Sequence, residues 1–107
     1  MINLRTNLIV LFTFSFLLLG CGLPKEEEVS KNIEQGIKLI QSSSWDKSWD
    51  KSKNVEDYLH LLSYKYDKKK RKKINKHLVN LEHSISVLDK EKSEKEWKKI
   101  KQAWEEN

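Results

Sequence analysis

The sequence predicts an all-α fold of three or four short, amphipathic, antiparallel helices. Beyond position 25, nearly every interval between apolar residues is three or four, which is the period of a helix and not of a strand. Leu, Ile, Val and Phe make up only 18 of the 87 residues from Cys21 to Asn107, so the core must be thin. A chain of 107 residues has room for one such domain, either a small bundle or an open hairpin.

The first helix is predicted over about 25–41. Pro24 is the only proline, and the three glutamates that follow it suit the positive end of a helix dipole. Gly36 is the weak point of this helix, because glycine lowers helix stability. The apolar stripe that defines the helix steps by four, four and three and consists of Val29, Ile33, Ile37 and Ile40.

A second helix is predicted from Ser44 to about 67, either continuous or kinked near Asn54. The tetrapeptide Ser-Trp-Asp-Lys occurs twice in succession, which places Trp45 and Trp49 on one helical face. Together with Tyr58 they are candidate partner-binding aromatics. The alternative is that these rings are the bulkiest part of a small core.

A third helix is predicted over about 70–89, followed by a bend and a fourth helix. The third carries a heptad-like seam, which could also serve as a dimer interface. The fourth is expected to start at a capping box, "SEKE", in which Ser93 and Glu96 bond reciprocally to the backbone. The seam consists of Ile74, Leu78, Leu81, Ile85 and Leu88, and the stripe of the fourth helix consists of Trp97, Ile100 and Trp104.

A basic run spans the predicted start of the third helix and is the strongest candidate for a binding site. It consists of Lys68, Lys69, Lys70, Arg71, Lys72 and Lys73. Such a run can hold anionic phospholipid headgroups or phosphate-rich wall polymers, since each Lys or Arg near an anionic surface contributes about 1 kcal/mol. The alternative is a solvated connection between two helices.

The first twenty residues have the pattern of an export signal. Arg5 is their only charged side chain, and Leu8 to Leu19 form an apolar run too short to span a bilayer comfortably. The run ends in Leu18-Leu19-Gly20-Cys21, which resembles the lipobox of bacterial lipoproteins. Leu18 and Gly20 match the residue types preferred there, whereas a small residue or valine is commoner at the position of Leu19.

The resemblance implies a diacylglyceryl group on the Cys21 sulfur, cleavage before Cys21, and frequent acylation of the new amino group. Residues 1–20 would then be a signal peptide, 21–25 the lipidated cysteine and a short tether, and 26–107 the helical domain. The protein would be lipid-anchored at the extracytoplasmic face of the membrane, in the cell envelope. The alternative is an uncleaved membrane anchor with an incidental cysteine.

Several classes of function are disfavoured by the sequence. The single cysteine cannot form an internal disulfide, and no serine lies in a glycine-flanked nucleophile turn. The histidines, His60, His77 and His83, do not have the spacing of a local metal-ligand pair. We therefore expect a non-enzymatic protein without a metal or other cofactor. An exported lipoprotein seldom meets nucleic acid, which argues against binding it.

The part after Cys21 also resembles an uncharacterised family of short helical envelope proteins from Gram-positive bacteria. The similarity lies in an "SSW" element and in "HLVNLEHSI" followed by "KEWKKIKQAW". That family has no assigned activity, so the resemblance implies none. The leading hypothesis is a lipoprotein whose helical domain binds or modulates a protein partner. The second is an electrostatic module for anionic lipid or wall polymer, acting through Lys68 to Lys73.

Overall fold

The computed structural model describes residues 26–106, and all regular structure in this range is helical. The four helices are α1 (Glu26–Gln41), α2 (Trp45–Leu61), α3 (Lys68–Ser86) and α4 (Lys90–Glu105). The predicted all-α class is therefore confirmed, with four helices in this part of the chain.

The helices form an antiparallel bundle rather than an open hairpin. Helix α1 packs on α2 and α4, and α3 packs on the same two helices, while the backbones of the diagonal pairs stay further apart. Two side-chain hydrogen bonds show that α1 and α4 run in opposite directions. Trp104 Nε1 donates to Ser30 Oγ at 2.9 Å near the start of α1, and Gln41 Nε2 donates to Glu94 Oε2 at 2.8 Å at its end.

The core is made of one apolar stripe from each helix. The stripe predicted for α1 is buried throughout, and so are the first four residues of the α3 seam. Because that seam packs within its own bundle, it is not available as an interface for a second copy. The buried apolar residues are Val29, Ile33, Ile37, Ile40, Val55, Leu59, Leu62, Ile74, Leu78, Leu81, Ile85, Trp97, Ile100, Ala103 and Trp104.

Helix α2 is continuous through Asn54, but it ends six residues earlier than predicted. After Leu61 the chain turns, with Lys65 N donating to Leu62 O at 2.9 Å. Asp67 then caps α3 by accepting a hydrogen bond from Lys70 N at 2.8 Å. The periodicity of apolar residues continues through this turn because Tyr66 still packs against the core, so the pattern did not mark the boundary.

Helix α3 ends at Ser86, and Leu88 does not belong to the seam. Its backbone is left-handed (φ 57°), Leu88 N donates to Ile85 O, and Asp89 N donates to Ser84 O, which together form a Schellman cap. The side chain of Leu88 is consequently 62% exposed. Leucine is an unusual residue for this position, where glycine is preferred.

The predicted start of the fourth helix was wrong. Helix α4 begins at Lys90, and its cap is Asp89, which accepts a hydrogen bond from Lys92 N at 3.0 Å. Ser93 lies inside the helix, fully buried, with its Oγ 2.8 Å from Ser84 Oγ. Asp89 can cap the helix one turn earlier, which leaves Ser93 for the contact between α3 and α4.

Gly36 is a packing site and not merely a weak point of α1. The Trp97 ring lies directly against it, so that a Cβ at position 36 would overlap three carbon atoms of the ring. Trp97 Nε1 donates to Ser48 Oγ at 2.9 Å, and Ser48 Oγ donates to the Gly36 carbonyl at 3.1 Å. This contact, which we call the Gly36 seat, joins α1, α2 and α4 around a fully buried indole.

Replacing Gly36 by alanine is therefore expected to destabilise the bundle. Overpacking of this kind costs about 1–3 kcal/mol, and the gain of alanine over glycine in helix propensity offsets at most ~1 kcal/mol of it. The measurement is the free energy of unfolding from chemical denaturation. Lys31→Ala, an exposed substitution on the same helix, should change it by less than about 0.5 kcal/mol. A Gly36→Ala protein more stable than the parent would contradict the packing role.

Candidate functional site

The bundle has two distinct ends, and the basic run lies at the end where α1 begins. We call this end the base; it comprises the start of α1, the end of α2, the turn 62–67, the start of α3 and the end of α4. Lys65 Nζ lies 3.0 Å from Glu26 Oε1, and Lys73 Nζ lies 2.9 Å from Glu106 Oε2, which fixes these segments side by side. The opposite end, with the turns 42–44 and 87–89, is called the tip.

Half of the basic run is engaged in holding the base together. Lys70, Arg71 and Lys73 all have partners within the chain. Arg71 Nε donates to the Tyr66 carbonyl at 3.2 Å, and the Lys73 ammonium pairs with the Glu106 carboxylate. These three charges are therefore only partly available to an external anion.

Lys70 acts as the C-terminal cap of α4. Its ammonium donates to the Trp104 carbonyl at 2.9 Å and to the Glu106 carbonyl at 2.6 Å. It also lies 5.2 Å from the Tyr66 ring centroid and 5.4 Å from that of Trp104, within cation–π range. The two rings meet edge to face at 5.3 Å. A positive charge at the negative end of a helix dipole is stabilising, so this lysine serves the fold.

The Tyr66 hydroxyl is buried at this junction, and no group among the described residues meets it at full hydrogen-bonding geometry. Burial raises the pKa of Tyr66 to about 12, and the neighbouring Glu26 carboxylate adds to the shift. The pKa of Glu26 is lowered, chiefly by its bond to the Lys65 ammonium. The phenol therefore stays neutral and the carboxylate stays charged across the physiological range.

The other lysines of this region face solvent. We call Lys68, Lys69, Lys72 and Lys76 the exposed basic stripe; none has an ion-pair partner among residues 26–106. The only acid of α3 is Glu82, which pairs with Lys53 at 3.3 Å on the side facing α2. The outer face of the first half of α3 is thus uniformly cationic.

An open depression lies beside the stripe at the base. Its volume is about 680 Å³, and four of the residues that line it are lysines, together with the edge of Tyr66. The acids on its rim, Asp67 and Glu106, are already engaged as a helix cap and an ion pair. The lysines that line it are Lys65, Lys69, Lys70 and Lys73.

The candidate partner-binding aromatics are less accessible than a free aromatic face would be. Trp45, Trp49 and Tyr58 are all partly buried and pack against the core. The Trp49 ring also lies under the Lys53 ammonium, 5.1 Å from its centroid. The two tryptophans predicted for the fourth helix are buried, Trp97 completely, as the stripe indicated.

The exposed large apolar side chains fall mainly at the two ends. Leu61 (46% exposed) and Tyr64 (65% exposed) lie at the base, whereas Val87 (58% exposed) and Leu88 lie at the tip. Val79, 63% exposed, lies between them on the outer face of α3.

Histidines and acids in the described part of the chain do not assemble a metal site. His60 and His83 are exposed, while His77 Nδ1 lies 3.3 Å from Glu96 Oε2. Asn80 Nδ2 donates to the other oxygen of the same buried carboxylate at 3.4 Å. This cluster ties α3 to α4 and was not anticipated from the spacing of the histidines.

The lipobox residues Leu18, Leu19, Gly20 and Cys21 lie outside the described residues. Within residues 26–106, none of the helices is both long and apolar enough to cross a membrane. No family model, curated protein or solved structure matches the chain.

The role of Lys70 can be separated from that of its neighbour by matched substitutions. Lys70→Met keeps an unbranched apolar stem but removes the cap, so we expect a loss of about 1–2 kcal/mol in the free energy of unfolding. Lys69→Met removes the same charge from an exposed position and should leave stability nearly unchanged. Equal effects of the two substitutions in chemical denaturation would contradict the capping role.

Proposed function

We propose that this protein is a lipid-anchored bacterial lipoprotein whose helical bundle is a non-enzymatic binding module at the outer face of the membrane. The anchor is a diacylglyceryl thioether at Cys21, with an acyl group on the new amino terminus. The proposal is supported by the pattern of residues 1–21 and by the start of α1 at Glu26, five residues beyond Cys21. Two or more acyl chains give stable membrane anchoring, whereas one chain is marginal.

The anchor predicts a defined mature species. Mass spectrometry of the protein from its native membrane should show a chain that begins at Cys21 and carries diacylglycerol. Cys21→Ser should release the protein from the membrane fraction or leave it uncleaved, while Ser43→Cys in that background would test whether any cysteine suffices. An unmodified thiol with residues 1–20 still attached would refute the proposal.

A protein partner is the leading candidate for what the bundle binds, and the tip is where we place the contact. With Cys21 next to the base, the tip is the end turned away from the membrane. The observation that carries this placement is Leu88, a bulky side chain held exposed in a left-handed conformation. That conformation costs a non-glycine residue about 1–2 kcal/mol, and Val87 beside it is exposed as well.

In-cell crosslinking can test the tip as a contact surface. A photoreactive residue at position 87 should give one discrete protein adduct in intact cells, whereas the same probe at Val79, equally exposed, should not. Leu88→Asn should abolish the adduct while keeping or raising stability, because asparagine tolerates the left-handed region better. Equal adducts at both positions, or adducts with lipid alone, would count against a partner at the tip.

A second candidate is electrostatic binding of anionic lipid or wall polymer through Lys68 to Lys73. It is favoured by the four unpaired lysines of the exposed basic stripe and by the lysine-lined depression beside them. Lys70, Arg71 and Lys73 contribute less than the sequence suggested because they already have partners in the chain. Replacing all six residues would confuse loss of binding with loss of fold, so the informative substitutions are those at Lys68, Lys69 and Lys72.

A further inference from the structure

We propose that the base of the bundle docks onto the anionic membrane that carries Cys21, with Leu61 and Tyr64 entering the headgroup region and Lys68, Lys69 and Lys72 meeting the lipid phosphates. This inference rests on the lipid anchor proposed above. It adds a second membrane contact, made by a folded surface 40 residues or more along the chain from the cysteine.

The first argument is the length of chain between the anchor and the fold. Five residue steps separate Cys21 from Glu26, and a fully extended chain covers at most about 18 Å over that distance. Glu26 is itself at the base, bonded to Lys65 in the turn between α2 and α3. An anchored Cys21 therefore keeps the base within about two Debye lengths of the lipid headgroups at physiological ionic strength.

The second argument is the position of the cations. Lys68, Lys69 and Lys72 lie in the first five residues of α3, within about 6 Å of its start along the axis. Each is exposed and lacks an ion-pair partner among the described residues. The base also carries acids: Glu26 and Glu106 are paired with lysines, while Glu27, Glu28 and Glu105 lack ion pairs within residues 26–106. These three lie on α1 and α4, and Asp67, which precedes α3, is engaged in capping that helix, so Glu82 is the only acid on α3 itself.

The third argument is the exposed apolar pair in the same turn region. Leu61 follows Asn54 and Tyr58 along the α2 row that faces α1, since Asn54 bonds Asn32 across that interface. Leu61 is thus on the α1 side of the base, close to the tether. Tyr64 follows it in the turn, 65% exposed. A tyrosine and a leucine among lysines are typical of a surface that rests in a membrane interface.

The occupant that these features fit best is an anionic phospholipid bilayer and not a soluble polymer. A wall polymer would account for the lysines but not for the exposed leucine and tyrosine next to them. Neutralising the lysines should weaken docking about fivefold for each residue removed, because each contributes independently near the surface.

The test uses the full, lipidated chain reconstituted in vesicles. Because the Cys21 sulfur carries the diacylglyceryl group in the lipoprotein proposed above, Tyr64→Cys supplies a single thiol for a nitroxide label at the base, and Val87→Cys supplies a matched label at the tip. Both positions are exposed, so neither label should disturb the fold. The readout is collision of the nitroxide with a water-soluble nickel chelate and with oxygen, in vesicles with and without phosphatidylglycerol.

On anionic vesicles we expect the label at position 64 to be shielded from the nickel chelate and open to oxygen, and the label at 87 to behave as in water. Phosphatidylcholine vesicles should weaken the shielding. Lys68→Gln, Lys69→Gln and Lys72→Gln together should shift the docking equilibrium about a hundredfold towards the undocked form. The matched control, Lys90→Gln, Lys92→Gln and Lys95→Gln at the tip, should leave it unchanged.

Equal accessibility at 64 and 87 on anionic vesicles, with the protein still vesicle-bound, would overturn the docking proposal and leave the anchor intact. Shielding of position 64 by soluble poly(glycerol phosphate) as strong as that by vesicles would also overturn it, in favour of a wall polymer. Labelling at two thiols, with no vesicle association, would instead show that the Cys21 sulfur carries no lipid and that the proposed function fails.

Discussion

The bundle depends on the contact between the Trp97 indole and the backbone of Gly36. A thin core leaves few large side chains to join four helices, and this one ring touches α1 at the Gly36 seat and α2 through Ser48. The serine hydroxyl passes the hydrogen bond on to the Gly36 carbonyl, so the indole N–H is satisfied without water. Without that acceptor, burying the largest residue of the chain would leave an unpaired donor, which costs about 1–3 kcal/mol.

Helix α3 is attached to this centre mainly through α4, and polar contacts add to its buried apolar seam. Buried Ser84 and Ser93 face each other, which lets the two helices approach closely, and Glu96 binds His77 and Asn80. Lys70 completes the series at the base by capping α4. Small and polar side chains thus supplement the four buried aliphatic residues of α3 along this interface. These added contacts help a chain with few aliphatic residues to form a bundle.

The parts of the fold that follow from the periodicity of apolar residues could be predicted from the sequence. Helix ends and contacts between residues far apart in the chain could not. The α1 stripe and most of the α3 seam were correct because a buried helical face repeats every three or four residues. The end of α2 was missed because Tyr66 stays in phase with the apolar stripe beyond the turn. The predicted capping box was wrong because Asp89 caps the fourth helix earlier in the chain. The sequence around Gly36 does not indicate that a ring packs against it, since its partner Trp97 lies 61 positions away. For the candidate site, composition located the basic run. Only the packing shows that Lys70 caps α4 whereas Lys69 faces solvent.

Topology links two features that are far apart in the sequence. In an antiparallel bundle of four helices, the first and third helices begin at the same end, so residues that precede α1 and residues that open α3 become neighbours. The basic run starts 47 positions after Cys21, yet the Lys65–Glu26 bond brings the adjoining turn against the first residue of α1. An anchor at Cys21, as proposed above, would therefore constrain the whole base through a short tether, and the charge of α3 would act close to that anchor. The opposite turns are separated from the base by the full length of the helices, about 25 Å for sixteen residues, so they would stay free to meet other molecules.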